Sequence, residues 1–159
     1  TMFVENKDGR KEIPIDDWSF AYMIPNLAPE DVLTSISIPI WEAGHGYAFI
    51  EFARRHGDFA ICAAGALMEI DSKDKILKVA ITVAGADVKP TRLIKLEESL
   101  VGHEANEKIF LEAEQEAKKI EALSDVYYTE SYRKRLSGTL VKRALRTATK
   151  RAKGSSQNG

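Results

Sequence analysis

The chain has a single cysteine, Cys62, in 159 residues. One thiol excludes an internal disulfide, and it is too few for a zinc or iron–sulfur centre held by several cysteines. The three histidines, His45, His56 and His103, are far apart and lack ligand spacing with cysteine or carboxylate, so no metal site is read. Neither GxGxxG nor GxxxxGK[ST] occurs, which excludes a phosphate cradle of those kinds. Ser35, Ser37 and Ser137 have no nucleophile-elbow context. No apolar run reaches transmembrane length, and the first residues lack a basic stretch followed by an apolar core. The chain therefore reads as soluble and cytoplasmic. A formal net charge of -1 gives no global attraction to nucleic acid or to a membrane surface.

Against these absences, 44% hydrophobic and 30% charged residues suit an ordinary globular domain. The length is enough to bury a core without disulfides or metals. Pro14, Pro25, Pro29 and Pro39 all fall within residues 1–44, so long helices are not expected there. "KEIPIDDW" and "VLTSISIPI" instead alternate β-branched residues between turn formers, the pattern of strands and loops.

From residue 46 the period is two. "YAFIEFARR" places Tyr47, Phe49 and Glu51 on one face and Ala48, Ile50 and Phe52 on the other. "HGDF" is a turn signal, because Gly57 can take positive φ and Asp58 can bond nearby amides. "FAICAAGALMEI" reads as a buried strand, "DSKDK" as a hairpin turn, and "ILKVAITVAGADV" as the returning strand. Two successive hairpins make an antiparallel meander. The rest is helical. "TRLIKLEESLVG" and "NEKIFLEAEQEAKKIEAL" carry apolar residues at helical spacing, the second behind the N-cap Asn106. A third stripe runs through Tyr132, Leu136, Leu140, Val141, Ala144 and Leu145, and residues 154–159 read as a disordered tail.

The expected fold class is α+β: a three-stranded antiparallel sheet (47–55, 60–71, 75–86) with three helices on one face, after a strand-rich N-terminal segment. Chemistry is sparse. The acid pairs Asp16–Asp17 and Glu97–Glu98 read as solvated turn and helix faces rather than an acid/base pair. Cys62, in an apolar stretch, reads as a packing residue. Between Arg133 and Lys153 stand nine Lys or Arg and no acid. Such a helix either meets nucleic acid or an acidic partner, or turns a basic face to solvent. The apolar stripe and the preceding acidic helix favour solvent, with no nucleic-acid role.

Four stretches in order carry a family likeness: "RKEIPIDDW", "LAPEDVLTSISIPI", "GYAFIEFARRHGDFA" and "SDVYYTESYRKRLSGTLVKRAL". Together they resemble the C-terminal part of the FAD-binding medium subunit of molybdenum hydroxylases, in particular the aerobic carbon monoxide dehydrogenase type. The likeness covers about residues 10–150. It departs at "WSFAYMIPNL", where Trp18, Phe20 and Pro25 replace the family's Phe-Phe-x-Gly.

The resemblance implies that residues 1–44 are a remnant of the preceding FAD-binding domain, and that residues 45–153 are the C-terminal domain of the subunit. It implies that Phe59 approaches the isoalloxazine ring, that Gly57 and Asp58 shape the turn presenting it, and that Arg54 or Arg55 supplies positive charge. On its residues alone, Phe59 reads instead as the start of a core strand, with the arginines facing water. FAD is expected in the complete subunit and not held tightly by this chain by itself. The implied partners are an N-terminal FAD-binding region and the iron–sulfur and molybdenum subunits, with a homodimer as a further possibility because exposed strand edges favour pairing. The alternative function is an interaction module that keeps the fold without flavin.

Overall fold

The computed structural model describes residues 1–156. The chain divides into two compact units, Thr1–Trp41 and Glu42 onward.

In the first unit, β1 (Met2–Asn6) and β2 (Gly9–Ile13) form a hairpin. Asn6 Oδ1 accepts the Asp8 amide at 2.8 Å, and Gly9 takes a φ of 126° that a side chain would resist. β3 (Ser19–Ala21) and β4 (Ile24–Pro25) make a separate short ribbon around Met23. β5 (Val32–Ile36) returns antiparallel to the other side of β1, giving the order β2-β1-β5. Asp31 ties the unit together. Its carboxylate accepts the Lys11 ammonium, the Ala28 amide at 2.8 Å and Asn6 Nδ2 at 2.8 Å. Val4 and Ile13 are buried, whereas Ile36, Ile38 and Ile40 are exposed.

The second unit is the expected meander. β6 (Gly46–Phe52), β7 (Cys62–Ile70) and β8 (Ile76–Ala84) pair antiparallel, with Ala48 opposite Ala66 and Met68 opposite Val79. Cys62, Ala64, Ala66 and Met68 line one face of β7, and all are buried. The helices α1 (Ile94–Leu100), α2 (Glu107–Ala117) and α3 (Glu130–Ser156) complete the unit. Small residues let α3 sit close on β6 and β7. A Cβ on Gly46 would fall 1.8 Å from the Ala148 carbonyl oxygen. The apolar stripe of α3 is buried at Leu140, Val141, Ala144, Leu145 and Ala148, as its spacing predicts.

Three features differ from the sequence reading. First, the sheet gains a short edge strand, β9 (Thr91–Arg92), from residues read as the start of the first helix. Second, Glu97 is not solvated: it is 7% exposed. Its Oε1 accepts the Ile81 amide at 2.7 Å and Arg92 Nε at 2.7 Å, and Oε2 accepts Arg92 Nη2 at 2.6 Å. That carboxylate draws Arg92 and the backbone of β8 together, which explains why residues 91–92 pair with the sheet instead of winding into α1. Third, α3 continues past Gly154 to Ser156. The rest of the expected tail, 157–159, lies outside the described residues.

The basic helix is largely paired within the unit. Arg146 meets Glu107, Lys142 meets Glu114, and Lys153 Nζ reaches Asp74 at 2.7 Å. These pairs and the amide donors around Asp71 and Asp125 hold several carboxyls below their ordinary range. Arg146 does so for Glu107, Lys142 for Glu114, the Lys75 and Lys73 amides for Asp71, and the Tyr127 and Tyr128 amides for Asp125. A carboxyl whose folded pKa is depressed stabilises the fold above its unfolded value of about 4, and that stability is lost as pH falls through the folded value. The urea midpoint is therefore expected to be flat near neutrality and to fall below about pH 4. A midpoint unchanged down to about pH 2 would contradict these ion pairs.

Candidate functional site

The connection between β6 and β7 is a closed turn. β6 stops at Phe52, whose carbonyl accepts the Ile61 amide at 2.9 Å. Inside this closure the Asp58 amide donates to the Arg55 carbonyl at 3.1 Å, and Arg55 Nε donates to Asp58 Oδ2 at 3.3 Å. Gly57 adopts a φ of 85°, the left-handed conformation anticipated from "HGD". Arg54, Arg55, Gly57, Asp58 and Phe59 are thus brought together in one turn, outside both strands.

Phe59 is 85% exposed. β7 begins only at Cys62, so the reading of Phe59 as the start of a core strand is not met. A cleft of about 310 Å³ is lined by residues 51–57, including Arg54, Arg55 and Gly57; Asp58 and Phe59 stand outside its lining. The Arg54 guanidinium lies 6.0 Å from the centroid of the Tyr127 ring.

Tyr127 belongs to a second loop that the sequence reading did not assign to the site. Asp125 Oδ1 accepts the Tyr127 amide at 2.7 Å and the Tyr128 amide at 2.8 Å, fixing an Asx turn before α3. Arg133, expected on a solvated face, is instead 9% exposed and reaches toward the first turn. Its position in "SDVYYTESYRKR" was the available signal, since that stretch already carried part of the family likeness.

Elsewhere the chemistry is quiet. Cys62 is buried, and that burial pushes its thiol up; Sγ lies 3.2 Å from Ser137 Oγ, so it packs as expected. Another cleft, about 1010 Å³, lies between α1 and α2 among Leu93, Leu96, Ile109 and Ile120, away from the turn in sequence. Among the described residues no group of three His, Cys, Asp or Glu is placed to hold a metal. Among them, too, no helix is long and apolar enough to cross a membrane.

The second unit is thus an α+β meander whose first turn holds Arg54, Arg55, Gly57, Asp58 and the solvent-exposed Phe59. Residues 47–148 match the family described as the CO dehydrogenase flavoprotein C-terminal domain. The chain belongs to this family, as the resemblance in its sequence implied.

Among its relatives is the 6-hydroxypseudooxynicotine dehydrogenase complex subunit alpha of Paenarthrobacter nicotinovorans. It is 27% identical over 150 residues, covering 94% of this chain and 51% of that protein. The nicotine 6-hydroxylase medium subunit of the same organism is 31% identical over 143 residues, covering 89% of this chain and 50% of that protein. The fold superimposes on reconstituted CO dehydrogenase from Oligotropha carboxidovorans with a TM-score of 0.87 at 25% identity, covering 94% of this chain and 52% of that one. The chain therefore spans about half the length of the curated relatives it matches.

Proposed function

We propose that this domain forms one wall of an FAD site in the flavoprotein subunit of a molybdenum-containing hydroxylase, and that it helps to dock the other subunits for electron transfer to an acceptor. Phe59 borders the isoalloxazine ring, Gly57 and Asp58 fix the backbone that presents it, and Arg54 or Arg55 supplies positive charge. The observation that carries this reading is Phe59 itself: an aromatic 85% exposed to solvent, at the tip of a turn closed by backbone hydrogen bonds. A phenyl face offers a ring a stacking surface.

The residues of the turn fit part of such a cofactor. The cleft lined by Arg54, Arg55 and Gly57 is about 310 Å³, at the lower end of the roughly 300–1,000 Å³ that small-molecule sites occupy, so it suits a fragment of a dinucleotide and not the whole. When bound, FAD supplies the redox chemistry. This chain's residues orient the ring and place cations near it. Tight FAD binding is assigned to a separate N-terminal region, and residues 1–44 to the remnant of that region's domain. The exposed Ile36, Ile38 and Ile40 support this assignment, being apolar groups left without a cover. Iron–sulfur and molybdenum subunits are the proposed partners, in a cytoplasmic assembly.

The test is Phe59→Ala in a complete subunit with its FAD-binding region. Stability is expected to change by no more than about 0.5 kcal/mol, as at other exposed positions. Flavin content or the flavin's redox behaviour is expected to shift. A loss of about 3 kcal/mol or more with unchanged flavin properties would make Phe59 a core residue.

A further inference from the structure

The geometry points to Arg133 as the positioning residue for the flavin-facing turn: one buried guanidinium fastens that turn to two other loops. The inference rests on the proposed role of Phe59, and its observations are independent of it.

Arg133 lies in the first turns of α3 and is 9% exposed. Nη1 donates to the Ile61 carbonyl at 2.7 Å and also to the Gly85 carbonyl, while Nη2 pairs with Asp125 Oδ2. Its three acceptors come from separate parts of the chain. Ile61 is the residue whose amide closes the turn on Phe52, so Arg133 holds the other side of the same residue, two positions from Phe59. Gly85 follows β8. A Cβ there would stand 2.8 Å from the Ala60 carbonyl and 3.2 Å from that of Ile61, so this loop lies directly against the turn. Asp125 organises the segment that carries Tyr127, and Tyr127 in turn lies beside Arg54.

Only a guanidinium suits this junction. Its planar fork presents several donors at fixed angles, and it stays charged when buried. A lysine keeps the charge as a point and cannot hold the Ile61 carbonyl, the Gly85 carbonyl and Asp125 with the same set of directions. The guanidinium also lies 5.6 Å from the Tyr128 ring centroid, and Tyr128 stacks on Tyr132, so its position is limited from that side as well. One turn further along α3, Ser137 Oγ donates to the Arg133 carbonyl at 2.8 Å and touches Cys62 at the start of β7. The turn is therefore secured from α3 at its exit, two residues from Phe59, and through that backbone Arg133 acts on how Phe59 is presented.

The experiment compares Arg133→Lys, Asp125→Asn, Phe59→Ala and the remote core variant Ile76→Val in the complete subunit, FAD-binding region included. Two signals are read: amide hydrogen exchange at residues 57–61, and the visible circular dichroism of the bound flavin. Arg133→Lys is expected to raise exchange in the turn at least about tenfold while amides of β8 keep their protection. It is also expected to change the flavin signal in the same sense as Phe59→Ala. Asp125→Asn leaves both carbonyl contacts in place and is expected to give a smaller change of the same kind. Ile76→Val controls for general destabilisation and should leave both signals alone. If Phe59→Ala alters the flavin and Arg133→Lys leaves turn exchange and flavin as in Ile76→Val, the positioning role is wrong while the flavin assignment stands. If Phe59→Ala leaves the flavin unchanged, the flavin assignment fails and the positioning role falls with it.

Discussion

Gly46→Ala is expected to destabilise the second unit by about 3 kcal/mol or more, at the upper end of overpacking effects. The added methyl would stand 1.8 Å from the Ala148 carbonyl oxygen, 2.7 Å from the Ala148 carbonyl carbon and 2.7 Å from the Ala152 amide nitrogen. All three are backbone atoms of α3, so no side chain can rotate away. Relief requires the helix to lift off β6, which reopens the contacts of Ala148 with the sheet, now fully buried. Gly65→Ala is the matched control. A Cβ there meets only Phe49 at 3.9 Å and the Ala48 carbonyl at 4.0 Å, an ordinary contact, and its effect should stay within about 1 kcal/mol. Urea midpoints of the two variants measure the difference. Equal midpoints would mean that α3 does not approach β6 as described.

Leu140→Asp is expected to abolish cooperative folding of the unit. Leu140 is 1% exposed and lies in the core cluster with Val141, Ala144 and Leu145. Truncating such a residue to alanine costs about 2–5 kcal/mol through the cavity alone. A carboxylate adds the desolvation of an unpaired charge, which together is comparable to the whole stability of a domain this size. Lys150→Ser on the same helix, at an exposed position, should leave the thermal midpoint nearly unchanged. A Leu140→Asp protein with a sharp, near-native transition would show that the stripe of α3 is not core.

Much of this fold could be read because its signals are local. Alternation over Tyr47–Phe52 and the turn formers at Gly57 and Asp58 placed the first hairpin, and helical spacing from Leu136 to Leu145 placed the face of α3 that packs. The misreadings of Glu97 and Arg133 share a cause: each depended on a backbone partner distant in sequence. Glu97 looks solvated until the Ile81 amide and Arg92 are brought to it, and β9 exists because of that meeting. Arg133 looks like one more charge on a basic face until the Ile61 and Gly85 carbonyls converge on it. Phe59 read on its residues alone as the start of a core strand, and only the resemblance gave it a place beside a flavin; the start of β7 at Cys62 removes the first reading. The site was legible as a turn through Gly57 and Asp58. Its second loop, with Asp125 and Tyr127, was legible only as part of a family likeness.

The central claim is that the tip of the first turn faces a flavin. The most direct measurement is the fluorescence of bound FAD in the complete subunit after Phe59→Trp, with Phe49→Trp, also on an exposed position, as the control. An indole stacked on the isoalloxazine should quench its emission several-fold, while an indole on the open face of β6 should not. Strong quenching confined to Phe59→Trp is the predicted result. Equal flavin emission in the two variants, with both folded and flavin-loaded, would contradict it.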